Sequence, residues 1–162
     1  MDTNGLPANQ LDVRAKTAWR LQIAAGLAFF ALLLVVYTVA MVVLSTPVLV
    51  WVLPVLGFVA LTAVWLGPAV EIMYRRWRWE VTDTEVRLQS GLIIIKRTVI
   101  PMARIQHVDT SQGPILRLFD LSEVHVSTAA GPHKIPMLAE TDAAAIRDRI
   151  AALAQVTDDG GL

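Results

Sequence analysis

LQIAAGLAFFALLLVVYTVAMVVLSTPVLVWVLPVLGFVALTAVWLGPAV, Leu21 to Val70, holds no charged residue in fifty positions. Charges stand immediately outside both ends: Arg14, Lys16 and Arg20 before it, Glu71, Arg75, Arg76 and Arg78 after it. One bilayer crossing takes about twenty helical residues, so the run is long enough for two. Ser45-Thr46-Pro47 is the break, dividing the run into spans over 21–44 and 48–70. A three-residue turn crosses nothing, so the spans are antiparallel and both chain ends share one side. A buried pair of core helices is the competing reading. It fails because no polar face interrupts Leu27 to Val36 or Val48 to Val64.

The positive flanks lie on the shared side and the turn is uncharged, which predicts that both termini are cytoplasmic and the protein a multi-pass inner-membrane protein. Trp19 and Trp65 suit the inner interface and Trp51 the outer one. Pro54 and Gly57 predict a local kink in the second span, with the freed carbonyl satisfied by the neighbouring helix. Ala24/Ala28 and Ala63/Gly67 are small pairs at four-residue spacing that permit close helix approach. No ionisable residue lies within the spans, and proton relays, ion pathways and voltage sensors need them. The hairpin is expected to anchor and to oligomerise rather than to transport.

Elsewhere the composition is informative mainly by exclusion. The formal net charge is zero, so no nucleic-acid partner is expected. The chain has no cysteine, which removes disulfides, thiolate metal sites and a cysteine nucleophile. The apolar run starts about twenty residues in and outlasts the 7–15 residues of a signal h-region, so spans are expected rather than a cleaved signal. The organisation read from this pattern is a segment over 1–20, the hairpin over 21–70, a cytoplasmic domain over 71–156 and a tail over 157–162.

Beyond Tyr74 the period becomes two. Trp77 to Thr82 alternates apolar and polar residues as a half-buried strand does, Asp83-Thr84 is a turn, and Glu85 to Gln89 alternates again. Ser90-Gly91 leads into Leu92 to Ile100, a β-branched run predicted as a strand that ends at Pro101. Arg104 to Thr110 alternates with Ile105 and Val108 inward, and Ile115 to Phe119 fits one helical turn with Pro114 at its start. Leu121 to Thr128 puts Val124 and Val126 on one face and Glu123, His125 and Ser127 on the other; His133 to Met137 is a short last strand. Thr141 or Asp142 then caps an amphipathic helix marked by Ile146, Ile150 and Leu153. Six or seven antiparallel strands closed by one helix predict a small all-β sandwich or barrel with a C-terminal α-helical plug, behind a two-helix transmembrane hairpin. Trp77, Trp79 and Phe119 are expected to supply much of its buried area.

The stretches VTDTEVRLQSGLIIIKRTVIP (Val81 to Pro101) and IPMARIQHVDTSQGPILRLFDLSEVHVST (Ile100 to Thr128) resemble the bacterial pleckstrin-homology (PH) domain of the membrane-flanked type. The elements that carry the resemblance are Gly91 closing the second strand, the Ile100-Pro101 pair, the triplet Arg104-Ile105-Gln106, and the Arg117-Leu118-Phe119 turn before a strand. A preceding transmembrane hairpin is that family's usual arrangement. One departure is Asp120, where family members commonly have Gly. The resemblance implies a PH-like fold of two antiparallel sheets capped by a C-terminal helix. It brings no activity with it, since the fold serves lipid-headgroup binding in some relatives and protein binding in others.

The chemistry-bearing residues give no enzyme. His107, His125 and His133 lie on separate segments, and His107 with Asp109 reads as a solvated strand face because no motif supplies further metal ligands. No nucleophile elbow surrounds Ser122, Ser127 or Thr128, and Gly113-Pro114 and Gly131-Pro132 are turn signals rather than phosphate cradles. No catalytic residue, metal or cofactor is expected. The candidate contact residues are Arg75, Arg76, Arg78, Lys96, Arg97, Arg104 and His125. Lys96 and Arg97 are adjacent on a strand, so they point to opposite faces. The function expected is a membrane-anchored scaffold for protein interaction or self-association, with itself or a related membrane protein, in envelope stress or membrane homeostasis. The alternative is a reader of anionic lipid headgroups on the inner leaflet.

Overall fold

Helix α1 (Ala15–Val43) and a second helix of equal length, Val48–Arg76, form the hairpin. The second consists of α2 (Val48–Val64), a π-helical turn (Trp65–Ala69) and α3 (Val70–Arg76). This computed structural model describes residues 6–159. At 1.5 Å per residue, 29 residues exceed the ~30 Å of a hydrocarbon core. The turn forms as the break at Ser45 requires. Ser45 takes a left-handed φ of 51°, its N–H donates to the Val42 carbonyl (3.0 Å) and that of Thr46 to Met41 (3.1 Å). This is a Schellman closure, followed by Pro47, which cannot prolong the first helix.

Two cross-links tie the spans. Near the turn the Tyr37 hydroxyl donates to the Val50 carbonyl at 3.0 Å, and at the other end Arg20 Nε donates to the Leu66 carbonyl at 3.1 Å. The helical irregularity lies at Gly67-Pro68, inside the π turn, whereas Pro54 sits within α2. Proline has no N–H and its ring presses on the carbonyl four residues back; a wider turn makes room for it. The carbonyl that Pro54 leaves without its helical donor is that of Val50, four residues back, and the neighbouring helix reaches it through the Tyr37 hydroxyl, as expected from the sequence. A Cβ built on Gly67 meets nothing within 4 Å, so Ala63/Gly67 is not a point of close approach.

The chain divides into two compact units, Trp19–Glu71 and the residues up to Ala18 together with those from Ile72 onward. The second unit is the PH-like fold. Strands β1 (Arg78–Val81), β2 (Glu85–Ser90) and β3 (Lys96–Pro101) make one antiparallel sheet in the order β1-β2-β3. Strands β4 (Ile105–Ser111), β5 (Leu121–Thr128) and β6 (Gly131–Ala139) make the other, in the order β4-β5-β6. A single helical turn, α4 (Pro114–Arg117), has Pro114 in its first turn, and α5 (Glu140–Asp159) closes the fold. The expected tail over 157–162 is helical to Asp159, and residues 160–162 lie outside the described ones. Val86, Leu88 and Ile100 from the first sheet, Val124, Val126 and Ile135 from the second, and Ile150 from α5 are all buried. Trp77 is buried too, while Trp79 and Phe119 are half-buried.

One strand is shorter than its sequence suggests. Leu92 to Ile95 is loop, and β3 begins at Lys96, which pairs with Ser90. Gly91 decides this. Its φ is +132°, and a Cβ there would sit 1.9 Å from the Ile94 carbonyl oxygen, so the chain turns back on itself before pairing starts.

The N-terminal segment belongs to this fold. Asn9 exchanges two backbone hydrogen bonds with Trp79 at 3.0 Å on the outer edge of β1, and the Asp12 N–H donates to the Met137 carbonyl of β6 at 3.3 Å. Leu11, Ala15 and Ala18 are buried, the Tyr74 hydroxyl donates to the Leu11 carbonyl at 3.1 Å, and Lys16 Nζ lies 4.5 Å from the centre of the Tyr74 ring. The segment therefore bonds to the outer edge of β1 at Trp79 and to β6 at Met137. Asp120 keeps the left-handed turn after Phe119 with φ 52°, and the Glu140 N–H donates to its carbonyl at 3.1 Å. Aspartate is among the few residues that tolerate this conformation.

Candidate functional site

The first sheet collects cations at one end. The register aligns Arg78, Gln89 and Arg97 in a row across β1, β2 and β3, so their side chains share a face. Strands stand about 4.8 Å apart, which places the Cα atoms of Arg78 and Arg97 about 10 Å from each other across Gln89. Gln89 is buried and holds the row together: its Nε2 donates to the Arg76 carbonyl at 3.3 Å, and its Oε1 accepts from Arg97 Nε at 3.0 Å. The Arg76 guanidinium donates in turn to the Leu92 carbonyl, inside the β2–β3 loop. Lys96 points to the opposite face, paired in register with Ser90. One row further along, Arg87 is neutralised between Glu80 (3.8 Å) and Glu85. Among the described residues no carboxylate pairs with Arg76, Arg78, Lys96 or Arg97.

The loop beside this row carries Ile93, Ile94 and Ile95, which are 87%, 83% and 48% exposed. Gly91 and the Arg76–Leu92 hydrogen bond hold it in shape. The sequence contained the signal, an apolar run directly after a Ser-Gly turn, but β-branched residues there read as strand. Gln89 gave no signal at all.

The second sheet offers a different surface. Its outermost strand β4 is paired on one side by β5, and no strand among the described residues pairs with its other edge. Between that edge and α5 lies a groove of about 510 Å³, lined by Ile105, Gln106 and His107 from β4 and Ala151, Ala154 and Gln155 from α5. A bulge between Ile105 and His107 bends the edge at Gln106. The polar side chains on this sheet contact one another: His107 Nε2 lies 2.8 Å from Asp109, and Glu123 takes Lys134 at 3.3 Å and faces His125 at 3.6 Å.

The seven candidate residues thus separate. Arg76, Arg78 and Arg97 come together, with Lys96 at the base of the same loop. Arg75 is exposed on α3 and already has an interaction of its own. Arg104 is exposed in the 3₁₀ turn Met102–Arg104, and His125 lies on the second sheet. The Ser111 hydroxyl is 2.9 Å from His125 Nε2, the same nitrogen that faces Glu123. A catalytic triad needs its acid on the other ring nitrogen, so this cluster is not one. His107 and Asp109 have no third carboxylate, histidine or cysteine beside them, among the described residues, to complete a metal site.

The sequence pattern of the family described as "Bacterial PH domain" matches residues 21–154. The "UPF0699 transmembrane protein YdbS" of Bacillus subtilis (strain 168) is 39% identical over 160 residues, covering 94% of this chain and 96% of that relative. The "UPF0699 transmembrane protein YdbT" of the same organism is 35% identical over 68 residues, 42% of this chain and 14% of that longer relative. No solved structure matches the chain.

Proposed function

The chain belongs to the bacterial PH-domain family as one of its membrane-spanning members, and we propose that it is a docking module whose partner is another protein of the same membrane, in the first instance a second copy. The hairpin holds the domain at the membrane. The positive flanks at both ends of the uncharged run support a cytoplasmic placement of the domain and both termini, at the inner face of the cell membrane. Recognition is by strand addition: an extended segment pairs with the outer edge of β4 and lays alternate side chains into the groove against α5. Tethering in two dimensions raises the local concentration, so a modest affinity suffices.

The observation that carries this reading is the open β4 edge beside a 510 Å³ groove. The N-terminal segment bonds to β1 at Trp79 and to β6 at Met137, and Lys96, Arg97 and Pro101 guard β3 in the way natural edges are guarded. The chain has no cysteine, so Gln106→Cys creates a single thiol at the groove. A bifunctional maleimide applied to membranes carrying this variant joins the thiols of two copies into a covalent dimer. Adding Ala154→Trp, which fills the groove, abolishes the adduct. Equal adduct yield with and without the tryptophan contradicts the reading.

A further inference from the structure

We propose that the β2–β3 loop is a membrane wedge: Ile93, Ile94 and Ile95 enter the headgroup–acyl boundary of the leaflet, and Arg76, Arg78, Lys96 and Arg97 bind the phosphates of anionic lipids around them. The inference rests on the membrane hairpin and is independent of the β4 groove.

Loop tips are normally built from polar residues, glycine and proline. Here three consecutive isoleucines stand at the tip, two of them more than four-fifths exposed. A loose loop would fold such residues under itself; this one is held open. The Gly91 turn brings the Ile94 carbonyl back against the Gly91 backbone, and the Arg76 guanidinium holds the Leu92 carbonyl. Apolar side chains kept outward by a preorganised backbone enter a bilayer without a further ordering cost.

Charge and chain connectivity select the occupant. The cations beside the loop are unmatched by carboxylates among the described residues, while Arg87 in the next row lies between Glu80 and Glu85. Each Arg97 and Arg76 guanidinium has one N–H engaged in the hydrogen bonds given above, which leaves donors for phosphate oxygens. Isoleucine flanked by arginine and lysine is the composition of segments that lie in an anionic interface. Arg76 is six residues beyond Val70, the last of the uncharged run. Those six residues span at most about 21 Å even when fully extended, so covalent connection alone keeps the base of the loop within reach of the headgroup layer.

The test uses the full chain reconstituted into phosphatidylcholine vesicles with and without phosphatidylglycerol. An environment-sensitive fluorophore is attached at Ile94→Cys, or at Ile93→Cys should that variant fail to reconstitute, with Ala130→Cys in the exposed β5–β6 turn as the aqueous reference. In phosphatidylglycerol vesicles the Ile94 probe shifts to the blue, loses quenching by aqueous iodide and is quenched by lipids nitroxide-labelled near the headgroup; the Ala130 probe does none of this. Exchanging Arg78, Lys96 and Arg97 for Gln weakens the dependence on phosphatidylglycerol by about tenfold or more, as loss of three surface cations requires. Iodide quenching at Ile94 that matches Ala130 in every vesicle overturns the proposal. So does shielding from iodide without quenching by the labelled lipids, which would place a protein over the loop instead.

Discussion

The two sheets of the PH-like unit have the same strand count and opposite surface chemistry. The first gathers Arg76, Arg78, Lys96 and Arg97 around an exposed isoleucine loop. The second sets Asp109 beside His107 and Glu123 beside Lys134 and His125, and leaves a backbone edge beside a groove. An unmatched cationic row with apolar residues suits an anionic lipid surface, where each cation near the surface contributes about 1 kcal/mol. A backbone edge suits a protein strand, which is bound through main-chain hydrogen bonds. Under the two proposals above, one small fold divides two kinds of contact between its two sheets.

The contrast breaks most sharply at Gly91. Gly91→Ala forces a Cβ into the Ile94 carbonyl at a φ of +132°, and about 2 kcal/mol of destabilisation is expected from strain of this kind. Amide hydrogen exchange will speed up over the loop and adjoining strand ends. Cross-linking from Gln106→Cys, on the other sheet, will be retained. Loss of both at once would mean that the two surfaces are a single cooperative unit.

Gln89→Leu sharpens the comparison from inside the row. It removes the donor to the Arg76 carbonyl and the acceptor of Arg97 Nε, at an expected cost of about 1 kcal/mol for the hydrogen bonds lost at this half-buried site. Denaturant unfolding measures the loss. Gln89→Glu restores the acceptor but not the donor, so it should recover part of the stability.

A smaller effect comes from the strap that bonds to β1 and β6. The Arg14 guanidinium hydrogen-bonded to Asp12 holds that carboxyl below its ordinary value of 3.8, against the opposing pull of its partial burial. A pKa lowered on folding stabilises the fold above the unfolded-state value, and that contribution is lost as pH falls through the folded value. Thermal unfolding is therefore expected to drop below about pH 4, and Asp12→Asn to flatten that drop. An unchanged acid limb in the Asn variant would remove Asp12 from the account.

The hairpin was legible because hydropathy is a one-dimensional signal: fifty uncharged residues with Pro47 at their midpoint admit few foldings. The strands after Trp77 were legible for a similar reason, alternation being local, and so was the family resemblance. Leu92 to Ile95 was not, since β-branched residues favour strand on propensity and only the Ser90–Lys96 register together with Gly91 expels them into a loop. The edge role of Asn9 and Asp12 was hidden as well, because edge pairing is non-local and leaves no periodicity. Pro54 announced a freed carbonyl, which the Tyr37 hydroxyl meets at Val50, but the π turn around Pro68 was not foreseen. At the site, the arginines were visible as residues, but their grouping needed the register: Arg78 and Arg97 are nineteen positions apart in sequence and flank the same Gln89 in the sheet. Arg104 and His125 carried the same charge signal and belong to other parts of the fold.

The central claim is that the two sheets face different partners, and a paired measurement reaches it most directly. Single-cysteine variants at Ile94 and Gln106, reconstituted in the same phosphatidylglycerol-containing vesicles, are compared for quenching by headgroup-labelled nitroxide lipid. The account predicts strong quenching at Ile94 and none at Gln106. Equal quenching at the two positions, whether high or low, would contradict it.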